Sequence, residues 1–310
     1  LLIRMSDDWR SALVERLCNA EHYRSKAAAG GGWGYRSGCT GSAEPTALAA
    51  LALTALRQSP DRVVAALQWL ARLQRRDGAV AVSVVATSAN WPTALALLAW
   101  LRCAQPDPGH YLVQTREAIN WLTSARGRKV PPNPALYDHD TTLVGWPWVT
   151  GCHSWLEPTA YAILALRAAG KAHHPRVREG VRLILDRALP AGGWNYGNRR
   201  VLEHVLRPFP ATTGVALAAL AGEPRDARID AALAYLASEL GQVRAPLSLA
   251  WGLIGMRAWN AQPLETKVWL SACARRLLKR PAMPHYDALL LLAGAKTCPL
   301  IVASEAQIDG

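Results

Sequence analysis

YDHDTTLVGWPWVTGCHSWLEPTAYAILALRAAG, residues 137–170, joins two kinds of sequence in one stretch. Its first half is rich in aromatic, acidic and sulfur side chains and reads as a loop. Its second half opens on Glu157-Pro158-Thr159, and from Ala160 to Ala169 only Arg167 is charged. Proline in a first helical turn loses no hydrogen bond, and an acid beside it suits the positive end of the helix dipole. The stretch therefore predicts a helix that is apolar nearly all round, and such a helix is buried rather than laid on a surface. The same opening occurs as Glu44-Pro45-Thr46-Ala47 before LAALALTALR, and as Trp91-Pro92-Thr93-Ala94 before LALLAWLR.

Working outward, segments with one charged face alternate with these buried ones. An opening helix over roughly Trp9 to Ala28 ends at Gly30-Gly31-Gly32. The helix starting at Pro60-Asp61 sets Val64, Leu67, Leu70 and Leu73 against Arg62, Arg72, Arg75 and Arg76, so it is amphipathic and peripheral. Further peripheral segments cover Glu117–Ser124, Val177–Leu189, Ala227–Leu240 and Leu264–Arg280. Buried ones begin near Pro45, Pro92, Pro158, Pro210, Pro246 and Pro284. Six inner helices can hide two faces each only by surrounding one another. The sequence thus predicts an all-α fold, an (α/α)6 barrel (toroid) of twelve helices in one domain over 1–310, with short loose ends at about 1–8 and 296–310. An open solenoid of helix pairs, disfavoured by the uneven spacing of the proline starts, and an irregular α bundle are the competing arrangements. Gly78 to Thr87, GAVAVSVVAT, is the stretch that could be extended, and it reads as a connector.

Composition narrows the function classes. A chain of 310 residues that is 51% hydrophobic can bury a large core without crosslinks. Its six cysteines are scattered with no CxxC pair, against a disulfide framework or a zinc knuckle. The opening LLIRMSDDWR is too short and too soon acidic for a secretory signal. No apolar run reaches the ~18 residues of a membrane span. A cytoplasmic protein is expected, soluble or peripheral to a membrane. The net charge of +12 permits an anionic partner, but the arginines are dispersed and no nucleic-acid module contains them. P-loop, dinucleotide, serine-elbow and HExxH signatures are absent.

Ala66-Leu67-Gln68-Trp69-Leu70-Ala71-Arg72-Leu73-Gln74-Arg75-Arg76-Asp77-Gly78 resembles the glutamine-and-aromatic repeat of squalene-hopene cyclases and other terpenoid cyclases. Gly31-Gly32-Trp33-Gly34-Tyr35 and Gly192-Gly193-Trp194-Asn195-Tyr196 resemble the turns those cyclases share with the β subunits of protein prenyltransferases. The resemblance recurs over about Glu44 to Gly294 and implies a barrel around an apolar cavity for isoprenoid chains.

Three sets of residues follow as candidates. Thirteen Trp stand against a single Phe. Trp33, Trp91, Trp146, Trp148, Trp155, Trp194 and Tyr196 precede inner helices, so they gather at one end of the barrel as a substrate-binding rim. Aromatic faces there stabilise a carbocation; the plain alternative is that the rings seal the turns. Asp138-His139-Asp140-Thr141 is similar to the DxDD acid run of protonation-initiated cyclases, without its last aspartate and far ahead of the helix the run should open. It offers Asp140 as the acid with Asp138 or His139 tuning its proton, against a plain turn-capping role; Glu157 and Glu44, at the inner-helix starts, are the next acids to consider. Gly151-Cys152-His153-Ser154-Trp155 is similar to the zinc segment of prenyltransferase β subunits, with His285 as the late histidine, but Thr150 stands where an aspartate ligand belongs, so no metal is expected. A DDxxD run is also missing, and no cofactor is implied. The expected function is an isoprenoid cyclase-like protein with a hydrophobic isoprenoid or lipid ligand. A noncatalytic isoprenoid-binding or protein-interaction barrel and a prenyltransferase β-like subunit are the alternatives.

Overall fold

A computed structural model describes residues 8–20, 32–104, 107–133, 135–201 and 203–301. The expected continuation of the first helix to Ala28, the glycines Gly30 and Gly31, and residues 1–7 and 302–310 of the expected loose ends lie outside them. The described residues fold into twelve α-helices: α1 (Asp8–Asn19), α2 (Ala43–Ala55), α3 (Pro60–Arg72), α4 (Thr93–Cys103), α5 (Leu112–Ser124), α6 (Leu156–Ala168), α7 (Pro175–Asp186), α8 (Pro210–Leu220), α9 (Ala227–Glu239), α10 (Pro246–Ala258), α11 (Thr266–Leu278) and α12 (Pro284–Gly294). The even-numbered helices are buried on nearly every face, built mostly from Ala and Leu, which favour helix and carry no polar atoms to satisfy. Each packs on the next, and α12 returns to pack on α2, so the ring is closed. The odd-numbered helices wrap it: α3 buries one face and leaves Arg72 exposed, α7 leaves Arg178 and Arg182 exposed but buries Arg176, and α1 lies over α11 and α12.

Two sets of polar contacts stitch the ring. At the end where inner helices begin, Thr46, Thr93, Thr159 and Thr213 accept, through Oγ1, the backbone N–H groups of Trp33, Val80, Trp146 and Trp194 at 2.8–3.0 Å. At the other end, Arg167 of α6 donates to the carbonyls of Ala219 and Ala221 behind α8 and pairs with Glu223. Arg257 of α10 likewise donates to Ala295 and Lys296 behind α12. A guanidinium is well suited to the unpaired carbonyls and negative dipole of a helix C-terminus.

The structure adds two features. Residues 200–205 form a small hairpin, β1 (Arg200–Val201) antiparallel to β2 (His204–Val205), where no strand was expected. The end expected to be loose from 296 is ordered to Ile301, with Cys298 and Leu300 buried against the core. Gly78 to Thr87 is a connector, touching strand geometry only where Val80 bridges Gln74.

Candidate active site

The four threonine anchors set the register of α2, α4, α6 and α8 at the mouth of the ring. The residue two places before each anchor is Glu44, Trp91, Glu157 or Ala211. Glu44 belongs to α2 and Glu157 to α6, which are separated in the ring by α4. Side chains from helices that are not neighbours meet only in the interior, and these two carboxyls are close enough for charge on Glu44 to raise the pKa of Glu157. Burial is the larger cause for both and pushes each up to about 7. The Tyr35 hydroxyl donates to Glu44 Oε2 at 2.5 Å and opposes part of that rise. Tyr35 itself, buried beside a carboxylate, is held far from ionisation.

Aromatic rings lie beside the pair, Tyr161 being close enough to feel the charge of both carboxylates. Tyr161, one turn along α6 from Glu157, stacks on Trp91 at 5.9 Å and lies 5.8 Å from Trp251 of α10, again across the ring. Trp148 meets Trp91 edge-on at 4.8 Å. His285, at the start of α12, stands edge-on to Tyr35 at 5.1 Å, and burial depresses its pKa to about 4, so it is neutral. Two carboxyls that hold protons near neutrality beside a cluster of phenol and indole rings can deliver a proton to a non-polar substrate and shelter the resulting cation.

The residues singled out from sequence fall into three places. Trp91 and Trp148 are in the interior group. Trp33, Trp146 and Trp194 are fully buried between ring layers, their indole N–H groups donating to Leu17, Leu122 and Ile184 at 2.7–2.9 Å, in the last turns of α1, α5 and α7. They cap outer helices. Trp155 precedes α6 and packs on the exposed His153, and Tyr196 is half-exposed against Phe209. Asp138, His139 and Asp140 occupy a loop beside the end of α7. Asp140 is exposed, and its carboxylate accepts from Thr142 N and Oγ1 at 2.8 and 2.6 Å, which holds its pKa below the usual range. His139 is buried beside Asp138 and Arg187, with its pKa lowered mainly by burial. Cys152 is exposed on a turn while His285 is inside the ring. No group of three metal-ligating side chains occurs among the described residues.

No protein-family model matches the chain, and no curated protein matches it in sequence. Solved structures do. The type II terpene cyclase MstE from Scytonema, in complex with geranylgeranyl dihydroxybenzoate, matches at 15% identity with a TM-score of 0.58, over 92% of this chain and 82% of that one. This chain shares the α/α toroid fold of that structure. Two further toroids match it: a reducing-end-xylose releasing exo-oligoxylanase at 11% identity and TM-score 0.60, covering 96% of this chain and 94% of that one, and an alpha-amylase from Clostridium perfringens at 12% and 0.61, covering 94% and 98%. At these identities the likeness is one of fold, and the toroid is common to cyclases and glycosidases. Glu44, Glu157, Tyr161 and Trp251 were legible only in part. The repeated Glu-Pro-Thr openings were visible as helix starts whose glutamates ranked as acids behind Asp140; nothing in the spacing said that Thr fixes the register of those helices.

Proposed function

We propose that the protein is an isoprenoid cyclase whose reaction is begun by protonation, with Glu157 as the acid and Glu44 as its paired carboxylate. The carrying observation is the pair of withdrawn glutamates beside a cluster of aromatic rings. Glu44 receives the Tyr35 hydrogen bond, which favours its ionised form, so the proton resides on Glu157, which has no such donor. Glu157 transfers it to one carbon of a substrate alkene. The cation left on the other carbon passes along the chain as rings close, over the faces of Trp91, Tyr161 and Trp251. A carboxylate then removes a proton from carbon, so substrate and product are isomers. Asp138, His139 and Asp140 take no part in this reading, since an exposed carboxylate held ionised has no proton to give.

Two carboxyls and aromatic platforms also suit glycoside hydrolysis. The lining favours a hydrocarbon: a sugar needs many hydrogen-bonding partners, and the inner helices present Ala and Leu. Peripheral contact with a lipid surface belongs to the same proposal, because Val85, Val201, Val205 and Phe209 stand exposed on loops that precede α4 and α8, on the side where the ring opens.

The test is product analysis by mass spectrometry with geranylgeranyl-bearing arenes, squalene and prenyl diphosphates of graded length. Glu157→Gln should lose about 10²–10⁴-fold in rate, and Asp140→Asn should retain the parent's. Release of reducing sugar from oligosaccharides, without cyclised product, would transfer the pair to the glycosidase reading.

A further inference from the structure

Apart from the ring interior, a pocket of about 150 Å³ lies among the 128–130 segment, the 137–143 loop, the turn at 153–154 and the residue that ends α7. Its polar lining includes Arg128, His139, Thr141, His153, Ser154 and Arg187, and no carboxylate faces it. We propose that this pocket binds a small oxyanion, a phosphate or a short carboxylate.

Arg187 is the centre of the argument. It is 7% exposed, and it is fixed from behind by Asp186 Oδ2 at 3.3 Å, by the Gly197 carbonyl at 2.9 Å and by the Asp140 carbonyl at 3.3 Å. A guanidinium has five N–H groups; the two carbonyls take two, and Nε, though 3.3 Å from Asp186, makes no hydrogen bond, so three are left to spend. The Thr141 hydroxyl is buried with no partner at all, which is costly unless a ligand supplies one. Ser154 Oγ accepts the Gly145 N–H at 2.8 Å, which leaves its own hydrogen free to donate. The His139 side chain is 3% exposed, and its Nδ1, 3.7 Å from Asp138 Oδ1, makes no hydrogen bond. Arg128 is exposed beside His153, with which it forms a parallel bridge.

The nearby acids are turned to other tasks. Asp138 stands between His139 and Arg199, Asp186 holds Arg187 and accepts the Asp140 N–H, and Asp140 is bound to Thr142. They orient the cationic groups rather than fill the pocket. What remains is a rigid set of donors with a cation at its base, the arrangement that recognises phosphate and carboxylate. The volume equals that of roughly five waters at about 30 Å³ each, which suits an ion of a few heavy atoms and excludes an isoprenoid.

Calorimetric titration of the purified protein with inorganic phosphate and, separately, with malonate tests this. One saturable site for either ion is expected, and the tighter of the two identifies the headgroup. Thr141→Val, which keeps the side chain's shape, should weaken that binding about tenfold or more, as should Ser154→Ala. Without ligand the Thr141→Val protein should melt no lower than the parent, and it should lose the rise in melting temperature that the ion gives the parent. No saturable heat with either ion, or equal affinity in parent and both variants, overturns the proposal.

Discussion

The two glutamates give the pH dependence of the protein a definite sign. Each binds its proton more tightly when folded, with the pKa raised from 4.5 to about 7. The stability they contribute is therefore fully present below about 4.5 and is lost as pH rises through 7. Asp287, raised to about 6 by burial, adds a loss in the lower part of that window. Glu157→Gln should flatten the curve: urea denaturation at pH 8 should find the variant more stable than the parent, with the difference gone at pH 4.5. The same two residues show what sequence conveys at this scale. Asp138 and Asp140 stood out by likeness to an acid run, but which end of a long loop faces the ring depends on its path, and spacing does not encode that path. Glu44 and Glu157 were in view as capping acids and as proton donors second to Asp140; their depth is a property of register.

The commonest element of the fold is the turn-to-helix staple. Its value follows from what it satisfies, a backbone N–H sealed between ring layers. Thr159→Val should leave the Trp146 N–H unpaired and cost about 1–3 kcal/mol, read as a lower midpoint in chemical denaturation. The helix pair α8 and α10 is a second test. Gly214 meets the backbone of α10 so closely that an added Cβ would lie 2.0 Å from the Trp251 carbonyl oxygen. Gly214→Ala must push α10 away and carry Trp251 with it, and should lower stability by more than the ~1–3 kcal/mol typical of overpacking. Inner and outer helices were legible from charge distribution because burial on all faces excludes charge. The β1–β2 hairpin was not, since Arg200 to Val205 shows no alternation strong enough to mark a strand.

Over the whole molecule, closure was legible because six all-apolar helices have no other way to hide. The seam was not: Arg16 of α1 binds Asp287 of α12, its Nε 3.1 Å from Oδ2, and its Nη1 donates to the Leu277 carbonyl at 2.8 Å. Asp287 is fully buried, so removing its partner strands a charge. Arg16→Met should cost about 3–5 kcal/mol, and Asp287→Asn in the same chain should recover part of that loss, as read by urea denaturation. The closed ring also sets a timetable for the ribosome. Helix α2 has α12 as one of its two flanking inner helices, and some 240 residues of chain separate their starts. At about 5–20 residues per second, the apolar flank of α2 waits on the order of tens of seconds for its last neighbour to be made. For that interval the nascent chain carries an uncovered apolar flank, the kind of surface on which unfinished chains aggregate.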